Sequence, residues 1–290
     1  MEPHFKQVTF IGMGIMAGSL ALAFRKYNIC QNFVGVSREE TIKKAISQKI
    51  IDKGYSYDNI DKGVDGSSLI ILCSPIHIII KHIKQLAELA APGTIITDIG
   101  STKVNIMKTA QSVFPKDVYF VGAHPMAGSE QSGIDNSDAD IFHNKAYIIV
   151  PNGNTPSWVI DKLKIIIDII GSFPVILTAE VHDQIVAGVS HLPQILSVVL
   201  MNTAGTFDSE SHEHLRLAGS GFADMTRIAS SHFSIWKDIC ETNDENIKNA
   251  ISVFIKELDK LKNLIGKEEL RREFEKSNNL RELFNNIKKK

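Results

Sequence analysis

The sequence predicts an α/β domain built on a parallel sheet, followed by an all-helical domain. Two observations carry that expectation. From Val8 to about Thr178, short apolar runs rich in β-branched residues alternate with longer helix-like stretches, the pattern of strands joined by crossover helices. After Glu180 the strand signal stops, and Val181, Ile185, Val189, Leu192 and Leu196 recur on a helical period. In chain order, strands are expected at 8–11, 33–36, 69–72, 94–97, 118–121, 146–150 and 174–177. Helices are expected to begin near Ala17, Glu39, Ile76, Thr102 and Thr155, the last after the turn residues Asn152, Gly153 and Asn154. The domains divide as 1–178 and 179–290. Within the first long helix of the second domain, Pro193 lacks an N–H and its ring crowds the carbonyl near Val189, so a kink is expected close to His191. Leu270, Phe274, Leu283, Phe284 and Ile287, set among charges, read as an amphipathic helix that packs against the body or a second copy.

Composition narrows the class. The chain has 290 residues, 43% hydrophobic and 22% charged, an ordinary globular balance. A formal net charge of -1 provides no global field for nucleic acid or an anionic membrane. The one basic run, Lys288, Lys289 and Lys290, reads as a solvated tail. No apolar run is expected to reach the length of a membrane span, and the N-terminal residues lack a signal-peptide pattern, which together point to the cytoplasm. Cys30, Cys73 and Cys240 are widely spaced and odd in number, as suits reduced, buried thiols.

The stretch Gly12-Met13-Gly14-Ile15-Met16-Ala17-Gly18 directly follows the first expected strand and opens the first helix. In that context it is a dinucleotide fingerprint: Gly12 for the tight turn, Gly14 for room beside a pyrophosphate, Ala17 for close helix–strand packing. The helix start at Ile15 and Met16 then offers free N–H groups to phosphate. At the end of the second strand, Ser37 and Arg38 stand where NAD-specific folds carry a carboxylate, and the Arg38 fork suits a 2′-phosphate. NADP is therefore favoured, with NAD the alternative through Glu39 or Glu40. Ser74, just past the third expected strand, completes the expected cofactor contacts.

Three further strings stand out: Asp98-Ile99-Gly100-Ser101-Thr102-Lys103 at a strand's carboxyl end, Gly122-Ala123-His124-Pro125-Met126-Ala127-Gly128-Ser129-Glu130 just after another, and Gly219 to Arg227 in the helical part, with Ser190-His191-Leu192-Pro193 upstream. Together these strings resemble the prephenate and arogenate dehydrogenase family, and the segment Val36-Ser37-Arg38 is similar to its NADP-using arogenate dehydrogenases. The resemblance implies a Rossmann domain, a helical dimerisation domain and an active site between them. It implies His124 as the catalytic histidine, Ser101 as the serine hydrogen-bonding near it, Arg227 as the ligand of a substrate carboxylate and His191 as a second active-site histidine. The implied reaction oxidises a cyclohexadiene alcohol, prephenate or arogenate, with loss of carbon dioxide and without a metal. A neutral imidazole near pKa 6.5 suits acceptance of the hydroxyl proton.

A β-hydroxyacid-type dehydrogenase is the alternative enzyme, but it needs a lysine between Glu180 and Met201, and that stretch has none. A non-catalytic NADP-binding regulator is the other alternative. His212-Glu213-His214 reads as an exposed loop, and His77, His82, His143, His182 and His232 show no recognisable spacing. Trp236 is expected in the helical core.

Overall fold

The computed structural model describes residues 3–128, 131–207 and 212–288; Ser129, Glu130, Lys289 and Lys290 of the strings discussed above lie outside the described residues. The strands are β1 (Phe5–Ile11), β2 (Cys30–Val36), β3 (Lys53–Tyr55), β4 (Leu69–Leu72), β5 (Ile95–Asp98), β6 (Tyr119–Pro125), β7 (Ala146–Val150) and β8 (Phe173–Ile176). They form one sheet in the order β3-β2-β1-β4-β5-β6-β7-β8. The helices between them are α1 (Ile15–Lys26), α2 (Glu39–Ser47), α3 (Ile60–Val64), α4 (Ile76–Leu89), α5 (Val104–Val113) and α6 (Ser157–Ile169). Strand order reverses between β1 and β4, so a crevice opens past their carboxyl ends, where Gly12 and Ser74 sit.

The sheet is not wholly parallel. β6 and β7 run antiparallel, with Ala123 opposite Ile149 and His124 opposite Ile148. The connection between them, 126–145, holds only one short 3-10 turn (Ile134–Asn136) among its described residues, and an antiparallel neighbour needs no crossover helix. β6 pairs with β5 only as far as Val121, while its pairing with β7 carries it on through Pro125. His124 therefore lies within a strand, not in the loop after one. Two elements, β3 and α3, escape the sequence pattern because segments of three and five residues are too short to display a period. The core is filled from both faces by residues such as Phe10, Phe24, Phe33, Leu20 and Ile71, each at most 2% exposed. Burial of each such side chain contributes about 1.5–3 kcal/mol.

The helical part begins with α7 (Ala179–Val186), whose N-cap Thr178 accepts a hydrogen bond from the Val181 N–H at 3.3 Å. A π-helical turn (Ala187–His191) then leads into α8 (Leu192–Phe207). This turn is the form the Pro193 disturbance takes: Pro193 cannot donate to the carbonyl of Val189, and the backbone widens just before it. One expectation fails here. The continuous helix Ala179–Phe207, 29 residues long, contains an 18-residue stretch of mean hydropathy 1.5 and so is long and apolar enough to cross a membrane by length and composition. From Gln184 to Phe207 there is no Asp, Glu, Lys or Arg; His191 and Gln194 interrupt the apolar run as read from sequence, but the flanking apolar residues outweigh them.

The chain continues with α9 (Glu213–Arg216), α10 (Ser220–Thr226), a 3-10 turn (Arg227–Ser230), α11 (Phe233–Thr242), α12 (Asp244–Leu264) and α13 (Leu270–Lys288). His212 adopts a left-handed conformation (φ 54°) and Glu213 and His214 enter the single turn of α9, so this stretch is partly helical, not a plain loop. Asp238 of α11 accepts the His77 N–H at the start of α4, and Glu241 meets the His77 ring at 2.7 Å, clipping the two helices together. Residues 1–244 and 245–290 form two compact units. In the second, Lys260 of α12 pairs with Glu273 of α13 at 2.7 Å, and Phe274, Leu283, Phe284 and Ile287 are exposed.

Candidate active site

Gly12 turns the chain at φ 91°, and a Cβ there would stand 2.5 Å from Ser74 Oγ and 3.0 Å from the Cys73 carbonyl; no other residue fits. At Gly14 a Cβ would meet nothing within 4 Å, so the backbone faces open space. α1 starts there without a side-chain cap or an acidic residue in its first turn, leaving N–H groups and the positive helix end to an anion. Ser37 is 5% exposed, and its hydroxyl accepts from the Met13 N–H at 3.4 Å, bracing the glycine turn against β2. The resulting cleft, about 390 Å³, is lined by Gly12, Gly14, Ser37, Arg38 and Ser74 as expected, and also by Lys44, Tyr57 and Asp135. Ile15 and Met16 open α1 half-buried and are not among its lining residues. Lys44, held by Asp135 at 2.8 Å, was not legible because only the fold brings 135 to α2. An open glycine turn, a bare helix start and two cations fit a dinucleotide.

Beyond the cleft lies a buried polar cluster around His124. Its Nδ1 is 2.9 Å from His182 Nε2, and His182 Nδ1 is 2.7 Å from Asp183 Oδ1. The Asp183 carboxylate also accepts the N–H groups of Lys103 (2.7 Å) and Val104 (2.9 Å), capping α5. Asp98 accepts from the Gly100 N–H (2.7 Å), the Ala123 N–H (3.2 Å) and the Lys103 ammonium, so a buried ion pair ties the 98–103 string to the strand carrying His124. Burial, then the charges of His182, Lys103 and His191, holds the His124 imidazole well below its usual pKa. Burial likewise lowers His182, against the opposing pull of Asp183. Both rings are neutral at neutral pH.

His191, 1% exposed, comes from the π turn. Asn243 Nδ2 donates to the Asp183 carbonyl at 2.8 Å and lies 3.2 Å from His191 Nδ1. An amide nitrogen only donates, so Nδ1 accepts and the ring proton sits on Nε2. That Nε2 is buried with no hydrogen-bond partner among the described residues, a donor open to an acceptor. Burial pushes the His191 pKa down to about 4. Trp236, half-buried, meets His191 edge-on at 5.9 Å, bordering the site instead of filling a core.

Of the other expected residues, Ser101 lies half-buried between β5 and α5, while His124 Nδ1 meets His182. Arg227 is exposed at the end of α10, where Gln194 of α8 donates to the neighbouring Ile228 carbonyl at 2.9 Å and anchors the turn. Sequence reading missed His182, Asp183 and Asn243. On α7 the apolar stripe Val181 and Ile185 is exposed and His182 and Asp183 are buried, the reverse of an ordinary surface helix. A burial-inverted polar pair gives no periodic signal.

The family model of the prephenate dehydrogenase nucleotide-binding domain matches residues 20–176, and that of the prephenate dehydrogenase dimerization domain matches residues 178–285. The prephenate dehydrogenase of Bacillus subtilis (strain 168) is 32% identical over 269 residues, spanning 90% of this chain and 71% of the relative. The crystal structure of prephenate dehydrogenase from Aquifex aeolicus, in complex with hydroxyphenyl propionate and NAD+, superposes with a TM-score of 0.89 at 30% identity, covering 96% of this chain and 98% of that one. Synechocystis arogenate dehydrogenase gives a TM-score of 0.81 at 27% identity, covering 96% and 99%. Alike in sequence and in fold over nearly its whole length, the chain belongs to the prephenate dehydrogenase family, the NAD(P)-dependent dehydrogenases of tyrosine biosynthesis.

Proposed function

We propose that the chain oxidatively decarboxylates prephenate or arogenate, with NADP favoured over NAD. His124 carries the reading: a neutral imidazole, buried on a strand next to the cofactor domain's ion pair, is a proton acceptor. The bound nicotinamide supplies the hydride acceptor for substrate C4. His124 takes the C4 hydroxyl proton as the carbonyl forms. The C1–carboxylate bond then breaks, its electron pair enters the ring, and the C4 oxygen recovers a proton to become a phenol, so protons and electrons balance. Arg227 binds a substrate carboxylate through its fork, His191 donates from Nε2, and Ser101 hydrogen-bonds near His124. NADP is favoured because Arg38 and Lys44 both line the cleft beside the end of β2.

A homodimer fits the match to a dimerization-domain family and the exposed Val181, Ile185, Val189 and Val199 along α7 and α8. The functional division between 1–178 and 179–290 is supported by the junction of the two family matches. The free Cys30, Cys73 and Cys240 suit a reducing cytoplasm. The test is turnover on a panel of prephenate and arogenate with NAD and NADP, followed by nicotinamide absorbance. Reduction with neither substrate overturns the proposal. His124→Ala lowers kcat by about 10²- to 10⁴-fold at unchanged cofactor affinity, and near-normal turnover removes His124 from the chemistry.

A further inference from the structure

We infer that His182 and Asp183 form a positioning pair that holds His124 in the tautomer with its proton on Nδ1, so that Nε2 presents a lone pair to the substrate hydroxyl. The inference rests on the reading of His124 as the base. Each link follows from the one before it. Backbone N–H groups of Lys103 and Val104 cannot reverse, so the Asp183 oxygens they reach are acceptors. Facing that carboxylate at 2.7 Å, His182 Nδ1 must donate. A neutral His182 then has a bare Nε2, which only accepts, so His124 Nδ1 at 2.9 Å must be the donor. In a neutral His124 the remaining nitrogen, Nε2, carries no proton.

The arrangement is rigid where it needs to be. His182 is fully buried and Asp183 is 1% exposed, both in the first turns of α7, where the His182 N–H donates to the Thr178 carbonyl at 2.9 Å. The two imidazoles meet edge-on with centroids 5.1 Å apart. The Asp183 oxygens accept from the N–H groups at the positive end of α5, which directs the sequence of donors one way. Were His182 charged, both of its nitrogens would donate and His124 would be forced into the opposite tautomer. The groups facing the two rings are Lys103 and Asp98 from the β5–α5 segment, Asp183 from α7 and His191 from the π turn. Burial outweighs the two carboxylates and keeps His182 neutral. The same Asp183, through its backbone carbonyl and Asn243, sets the opposite tautomer on His191, so one residue organises an acceptor and a donor.

The test is long-range ¹H–¹⁵N NMR of the full chain labelled in histidine, with His124 assigned by its loss in His124→Asn. The expected spectrum shows protonated Nδ1 and bare Nε2 for His124; a protonated Nε2 in the wild type overturns the inference. His182→Leu removes the acceptor, mixes the His124 tautomers and lowers kcat by about 10²- to 10⁴-fold at unchanged substrate KM, whereas His182→Gln, whose carbonyl still accepts from Nδ1, stays within about 10-fold of wild type. A His182→Leu enzyme with wild-type kcat and a wild-type tautomer also overturns it. If that variant does not fold, the wild-type spectrum decides. A wild type that shows the expected tautomer yet turns over neither substrate sinks the proposed function and leaves the positioning pair standing.

Discussion

Lowering the pH from about 7.5 to about 5 should destabilise this protein through His191, and the size of the loss follows from its surroundings. Burial pushes its folded pKa down to about 4, against 6.5 for an unperturbed histidine. Below pH 6.5 the unfolded chain takes up a proton that the folded one refuses, so the unfolded state binds more protons and stability falls with pH. The stabilisation is fully present above 6.5 and is lost as pH drops toward 4. At about 1.4 kcal/mol per pH unit, His191 alone costs about 2 kcal/mol by pH 5 and about 3 kcal/mol by pH 4. The ring is 1% exposed, so solvent screening does not reduce these figures. His124 and His182 are shifted the same way and steepen the fall. The variant His191→Asn removes the titration while leaving an oxygen to accept from Asn243. Urea unfolding of both proteins across this range should show the variant losing about 2 kcal/mol less than wild type between pH 7.5 and 5. Its packing defect shifts the whole curve but not the slope. Parallel curves refute the reasoning.

Other perturbations read separate parts of the site. Arg38→Ala should raise KM for NADP by about 10- to 100-fold while leaving NAD almost unchanged, the scale of a lost charge-assisted hydrogen bond; steady-state kinetics with both cofactors checks it, and equal effects on the two remove Arg38 from 2′-phosphate recognition. Arg227→Ala should raise substrate KM by about 10- to 100-fold with a smaller change in kcat, and an unaltered KM reassigns the guanidinium. Lys103→Met strips Asp98 of its buried cation and should cost about 3–5 kcal/mol, measured by denaturant unfolding; a loss below about 1 kcal/mol means the pair is dispensable to the fold.

The glycine turn, the strands from β1 to β8 apart from β3, and the division into α/β and helical halves were legible because each rests on local chemistry. A positive φ demands glycine at 12, a half-buried strand demands β-branched runs, and Pro193 must disturb its helix wherever that helix packs. His124, Ser101, Arg227 and His191 stood out in the sequence as members of unusual strings, and their proposed roles rest on the family resemblance. What holds His124 was not. His182 and Asp183 are buried, while Val181 and Ile185, the residues an amphipathic reading sends inward, are exposed. Which face of α7 turns inward depends on the start of α5, whose N–H groups at Lys103 and Val104 find their acceptor about 80 residues away in Asp183. Asn243 joins the same cluster from the end of α11. Periodicity records how many apolar positions a helix has, but hydrogen bonds between distant segments choose the side that is buried, and no single stretch of chain contains both partners.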